Sequence, residues 1–205
     1  NSGEMDRAAA LVTGEVEVTT MAFGTVDRGK SAYKAWLSNW KSAMPDCMKG
    51  LLASGLADTV LAVMRERPFL GICLGLQMLF DASEEGPTRC LGALPGQVVR
   101  FREEAMQAPT GERLKVPHMG WSRVHQARPH PLWAGIEDGA RFYFAHSYYP
   151  VPADSSVTVG TVDYPVPFTC AIARANIFAT QFHPEKSQRA GLKLLANFVS
   201  WDGRS

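Results

Sequence analysis

Within the stretch Pro68-Phe-Leu-Gly-Ile-Cys73-Leu-Gly75-Leu-Gln77-Met-Leu-Phe80, an apolar run suited to a buried strand ends at a cysteine flanked by glycines, and a helical pattern follows. A chain that passes from strand to helix in so few residues needs a sharp, strained turn, and this narrows the fold to one in which strands feed helices. Gly71 and Gly75 stand two residues before and two after Cys73. This is the steric pattern of a nucleophile elbow, in which small neighbours leave one side chain raised where a substrate can reach it. At the start of the following helix, unsatisfied N–H groups and the positive dipole end favour thiolate over thiol. Cys73 is therefore placed to be a nucleophile; the competing reading is one more buried, inert thiol.

Two hundred and five residues suffice for one sizeable core, and a single domain, 1–205, is expected. The formal net charge is +1, from 21 basic and 20 acidic residues without a basic run, so nucleic acid is not an expected partner. The four cysteines, Cys47, Cys73, Cys90 and Cys170, lie far apart with no C-x-x-C, which suggests neither a zinc site nor a disulfide framework and fits a reducing compartment. There is no secretory pattern at the N-terminus and no apolar run of the ~20 residues that a membrane helix needs. The expectation is a soluble, cytoplasmic protein.

Asn1 to Thr13 carries a loose helical pattern and Glu15 to Thr20 alternates as a strand does. Residues 21–44 show no clear period, although 31–40 would accommodate a helix. Pro45 to Met64 reads as one helix interrupted by Gly50 and Gly55. Val98–Phe101 and Leu114–Val116 read as short strands around a charged hairpin, and Pro117-His-Met-Gly-Trp121 as a turn. Arg141 to Tyr149 is a further element, stopped by Pro150 and Pro152. Val157–Val162 and Phe168–Ala173 read as an antiparallel pair, followed by a strand at Asn176–His183. Pro184-Glu-Lys186 then turns the chain into a closing helix capped by Ser187, whose apolar face (Leu194, Leu195, Phe198, Val199, Trp201) is assigned to the core. The result is an α/β sheet with an antiparallel extension.

A thiolate nucleophile needs a base, and the base needs an acceptor to orient it. His183 and Glu185 stand together at a strand end, with Pro184 holding the turn, and supply both. His146 is the rival base and His118 follows a proline in the turn. His125 and His130 read as ordinary surface or loop residues.

Together, Gly71-Ile-Cys-Leu-Gly-Leu-Gln77, Pro117-His-Met-Gly-Trp121, Tyr143-Phe-Ala-His-Ser-Tyr-Tyr149 and Thr180-Gln-Phe-His-Pro-Glu-Lys-Ser187 resemble the class I (triad-type) glutamine amidotransferases. The likeness runs from about Pro45 to the C-terminus and is strongest to the glutaminase subunits of imidazole glycerol phosphate synthases, to which the Pro117–Trp121 segment points. It implies a flavodoxin-like, mostly parallel sheet with helices on both faces. It implies glutamine as substrate, no cofactor or metal, and delivery of ammonia to a cyclase subunit with a (β/α)8 barrel in a heterodimer. It also implies a triad of Cys73, His183 and Glu185, substrate contacts from Gly75, Gln77, His146, Ser147 and Tyr148, and a partner face at Trp121 and Lys186.

The departure from the family is N-terminal. Family members begin with an apolar strand, and Asn1 is expected to start after it: either residues upstream of Asn1 are lacking, the favoured expectation, with Asn1–Thr20 as the first helix and second strand, or residues 21–40 rebuild the region in another way. Where the family has a Pro-Gly-Val-Gly loop contributing an oxyanion N–H, this chain has Ser38-Asn-Trp-Lys-Ser42, without glycine. This predicts poor glutamine turnover. The alternatives carried forward are a catalytically impaired docking subunit of the same fold and a triad amidotransferase of another pathway.

Overall fold

In the computed structural model, the described residues are 17–20, 25–28, 43–107, 111 and 113–204. The expected helices at 1–13 and 31–40, and the Ser38–Ser42 segment, lie outside them. Strand β1 (Glu17–Thr20), inside the expected Glu15–Thr20 strand, pairs antiparallel with β2 (Thr25–Arg28). The single helix expected over Pro45–Met64 is instead two, α1 (Ala43–Ala53) and α2 (Leu56–Glu66), whose axes are bent by 93°. The break is local chemistry. Gly55 takes the left-handed conformation (φ 69°), and the Ser54 hydroxyl donates to the Leu51 carbonyl, a side-chain bond that competes with continued helix.

Strand β3 (Phe69–Ile72) leads into α3 (Leu74–Gln77), and then come the short strands β4 (Ala82–Ser83) and β5 (Thr88–Arg89) and the longer β6 (Gly96–Arg100). Strand β7 (His118–Arg123) occupies the segment expected to be a turn, and is followed by β8 (His125–Gln126), β9 (Arg141–His146) and β10 (Tyr148–Pro152). The chain closes with β11 (Thr158–Asp163), β12 (Pro167–Arg174), β13 (Ile177–Thr180) and α4 (Gln188–Ser200). The main sheet has the order β3-β13-β12-β11-β8, a second β10-β6-β4-β5, and β7 pairs with β9. The expected α/β architecture and the antiparallel β11–β12 pair are present. Among the described residues, the parallel pairs are β3–β13 and β4–β6.

Two departures have simple causes. No strand forms at Leu114–Val116; β6 pairs with β10 and β4 instead. Pro150 and Pro152 do not end their element but sit inside β10, which is an edge strand, where a missing N–H costs no ladder bond.

Core packing fixes both functional turns. Leu76, Leu79 and Phe80, just after Cys73, are fully buried with Met64, Leu94 and Ile172, and each such side chain contributes roughly 1.5–3 kcal/mol on burial. On the other side of the sheet, the rings of Phe142 (β9) and Phe182 lie 4.2 Å apart, with Leu194 of α4 buried in the same cluster. The apolar face assigned to α4 is only partly core, since Leu194 and Trp201 are buried whereas Val199 is 84% exposed.

Candidate active site

Cys73 lies between the end of β3 and the start of α3 with φ 51° and ψ −103°, a conformation that L-residues rarely adopt. The surroundings over-determine it. Its N–H donates to the Thr180 carbonyl at 2.7 Å, and Gly71 is forced, because a Cβ there would stand 3.0 Å from both Ala179 Cβ and the Gly75 backbone. Gly75 differs, since a Cβ at that position would meet nothing within 4 Å. Room beside the thiol is thus left open at Gly75 rather than filled by protein.

The electrostatics reverse one expectation. Protein packs densely around the sulfur, although the residue keeps some exposed area, and this desolvation pushes the thiol up to about 12. Donation from the Leu74 N–H, from the Gln181 side chain and the charge of Lys186 act the other way, while Glu185 opposes them. Helix α3 is only four residues long, so its dipole is too small to offset the burial. The resting residue is a thiol, and its proton must be taken by a base.

His183 is the residue expected to be that base. Its Nδ1 is 2.7 Å from Glu185 Oε1, and a carboxylate only accepts, so Nδ1 carries a proton and, in the neutral ring, Nε2 carries the lone pair. Nε2 is buried and has no hydrogen-bond partner among the described residues. The turn is locked from β9, where the His183 N–H donates to the Tyr143 carbonyl and the Tyr143 N–H donates to Ser187 Oγ, which in turn donates to the His183 carbonyl at 2.6 Å. Ser187 therefore does not cap α4 with its side chain as expected; it clamps the His183 turn. Helix α4 approaches this turn so closely that a Cβ on Gly191 would stand 1.9 Å from the Pro184 carbonyl oxygen. Gly191→Ala is expected to destabilise the protein by about 2–3 kcal/mol, lowering the melting temperature by roughly 5–10 °C in a calorimetric scan.

The rival base is excluded by its partners. His146 Nδ1 donates to the Tyr148 carbonyl at 2.8 Å and its Nε2 faces His118 Nδ1 at 3.1 Å, leaving neither nitrogen for a substrate. Gln77 is buried, and its Nε2 donates to the Tyr148 carbonyl and to Gln181 Oε1. The Ser147 carbonyl accepts from the Phe101 N–H. Gln181, which sequence reasoning passed over, lies 3.7 Å from the sulfur through its own Nε2. Trp121 is 40% exposed with its ring against Tyr143, and Lys186 is exposed beside Glu185. His130 is buried, not a surface residue, with Nδ1 accepting from the Leu132 N–H. Among the described residues no group of three or more His, Cys, Asp or Glu could hold a metal ion.

The family model for class-I glutamine amidotransferases matches residues 51–201, a span that contains the elbow and the His183 turn. The chain belongs to the class-I glutamine amidotransferases. The chain of this amidotransferase is 52% identical over 195 residues to the imidazole glycerol phosphate synthase subunit HisH of Thiobacillus denitrificans, covering 95% of this chain and 81% of the relative. It is 60% identical over 161 residues to the HisH of Dechloromonas aromatica, covering 78% and 74%. A glutamine amidotransferase of Thermotoga maritima of known crystal structure is similar with a TM-score of 0.48 at 18% identity, over 75% of this chain and 56% of that one.

Proposed function

We propose that this amidotransferase is the glutaminase subunit of an imidazole glycerol phosphate synthase, acting in histidine biosynthesis. The observation that carries the chemistry is the unpartnered Nε2 of His183, held by Glu185 on a turn whose Glu185 and Lys186 charges act on the strained cysteine. His183 Nε2 takes the Cys73 proton as the sulfur attacks the carboxamide carbon of glutamine. The developing oxyanion has the Leu74 N–H as a donor, since the residue after an elbow nucleophile points its amide there. Breaking of the C–N bond returns that proton to the departing ammonia, leaving a glutamyl thioester. Water then loses a proton to His183 and attacks the thioester, releasing glutamate and the thiol. Gly75 and Gln77 contact the substrate, with His146, Ser147 and Tyr148 as the pocket wall, because the Ser147 and Tyr148 carbonyls already accept protein donors.

Ammonia passes to a cyclase subunit with a (β/α)8 barrel in a heterodimer, in the cytoplasm. The wide spacing of the four cysteines, with no C-x-x-C, is the pattern of a reducing compartment. The deciding experiment is glutamate release by the chain mixed with that cyclase loaded with its nucleotide substrate. Release that depends on the partner is expected, and a docking subunit would stay silent. Met119 and Trp121, both over one-third exposed on β7, form the partner face together with Lys186. Trp121→Ala is expected to weaken the complex by about tenfold or more in titration calorimetry, as buried aromatic anchors do, and Lys186→Ala by less.

A further inference from the structure

One carbonyl oxygen sets the direction of every hydrogen bond between strand β7 and the thiol. The Tyr148 oxygen can only accept, so His146 carries its proton on Nδ1 and its Nε2 is bare. His118, 3.1 Å away, must then donate from Nδ1, which leaves its own Nε2 bare to accept from the Ser122 hydroxyl at 2.9 Å. On its other side the same oxygen fixes the Gln77 amide, whose Nε2 donates to it at 2.9 Å and to Gln181 Oε1 at 3.0 Å. Gln181 is thereby turned with Nε2 towards the Cys73 sulfur. His118, His146, Gln77 and Gln181 are each at most 4% exposed, and the His118 ring is stacked between Phe144 at 4.7 Å and Tyr164 at 3.7 Å.

We propose that His118 is a positioning residue for Cys73, aiming the Gln181 donor at the sulfur through His146, the Tyr148 carbonyl and Gln77. The proposal rests on the glutaminase reading for its consequence in turnover, and on the thiol alone for its direct readout. Both imidazoles are neutral, as the single proton on each requires; burial holds His118 down to about 4 and His146 well below its ordinary value, with His183 the further basic group acting on His146. The sulfur itself faces the charges of Glu185 and Lys186. Because Ser122 and His118 lie on the strand that exposes Met119 and Trp121, the aim of the thiol is tied to the surface assigned to the partner.

The test is the rate at which iodoacetamide alkylates Cys73 in the full chain at mildly alkaline pH, followed by peptide mass mapping, with Cys47 as internal reference. His118→Phe keeps the stacked ring and removes the donor; it is expected to slow Cys73 by roughly three- to tenfold, the equivalent of one neutral hydrogen bond. His118→Asn, which places an amide N–H where Nδ1 stood, is expected to recover most of the rate, and Ser122→Ala to fall between. In the loaded complex, kcat for glutamate release should follow the same order. Equal Cys73 rates in the wild type, His118→Phe and Ser122→Ala would overturn the proposal, as would a His118→Asn no faster than His118→Phe. If His118→Phe does not fold, Ser122→Ala at the half-buried end of the chain decides by the same rate. A wild-type complex that releases no glutamate while the alkylation order holds would overturn the glutaminase reading and leave the positioning role standing.

Discussion

Replacing Cys73 with alanine is expected to reduce glutamate release by the complex at least about a thousandfold, the scale on which removal of a triad member acts. The substitution leaves the fold nearly untouched, because the backbone at φ 51° is held by the Cys73 N–H to the Thr180 carbonyl and by the packing of Leu76, Leu79 and Phe80, none of which needs the sulfur. Cys73→Ser should fall almost as far. Its hydroxyl is a much weaker acid than the thiol, and a site that already pushes the thiol up to about 12 by burial gives an alkoxide still less help. Cyclase activity driven by added ammonium salt should persist in both variants, since the elbow has no part in it. Glutamate release above a tenth of the wild-type rate in Cys73→Ala would place the nucleophile elsewhere.

The elbow was legible in the sequence because its demand is steric and local. Gly71 is required by the close approach of Ala179 and the Gly75 backbone, and a close approach of that kind leaves a glycine in the chain. His183 and Glu185 were legible for the same reason, lying two residues apart across a proline. What escaped was long-range. Ser187 reads as a helix cap from its neighbours, yet its hydroxyl is claimed by Tyr143, 44 positions away. The Pro117–Trp121 segment reads as a turn because it holds a proline and a glycine, but Gly120 is at φ 141° within a strand that pairs residue for residue with β9. The His118–His146 pair follows from that register, which sets the two side by side. The thiolate favoured from sequence gave way to a thiol, because the length of the helix and the density of packing around the sulfur are tertiary facts.

The second large effect is expected at the His183 turn, where His183→Ala should cost at least about a thousandfold in partner-stimulated glutamate release. Glu185→Ala should cost less. Without the carboxylate 2.7 Å from Nδ1, the imidazole is free to place its proton on Nε2, which removes the lone pair needed to take the thiol proton in one of its two tautomers and lets the ring turn. That is a loss of orientation and of support for the imidazolium, not of the base itself. Because the contribution of Glu185 to turnover runs through His183, and its direct charge on the sulfur only opposes the thiolate, the double variant should be no slower than His183→Ala alone, within a factor of about three. Independent contributions would instead multiply the two losses, and a double variant slower than His183→Ala by the full Glu185 factor would dissolve the triad. A Glu185→Gln variant sharpens the distinction. Its amide oxygen still accepts from Nδ1–H and preserves the tautomer, but its neutral charge no longer stabilises the imidazolium, so it should recover part of the Glu185→Ala loss without reaching the wild type. Glu185 is 45% exposed on its side chain and Ser187 holds the turn independently through the His183 carbonyl, so neither substitution is expected to disturb the fold that presents the base.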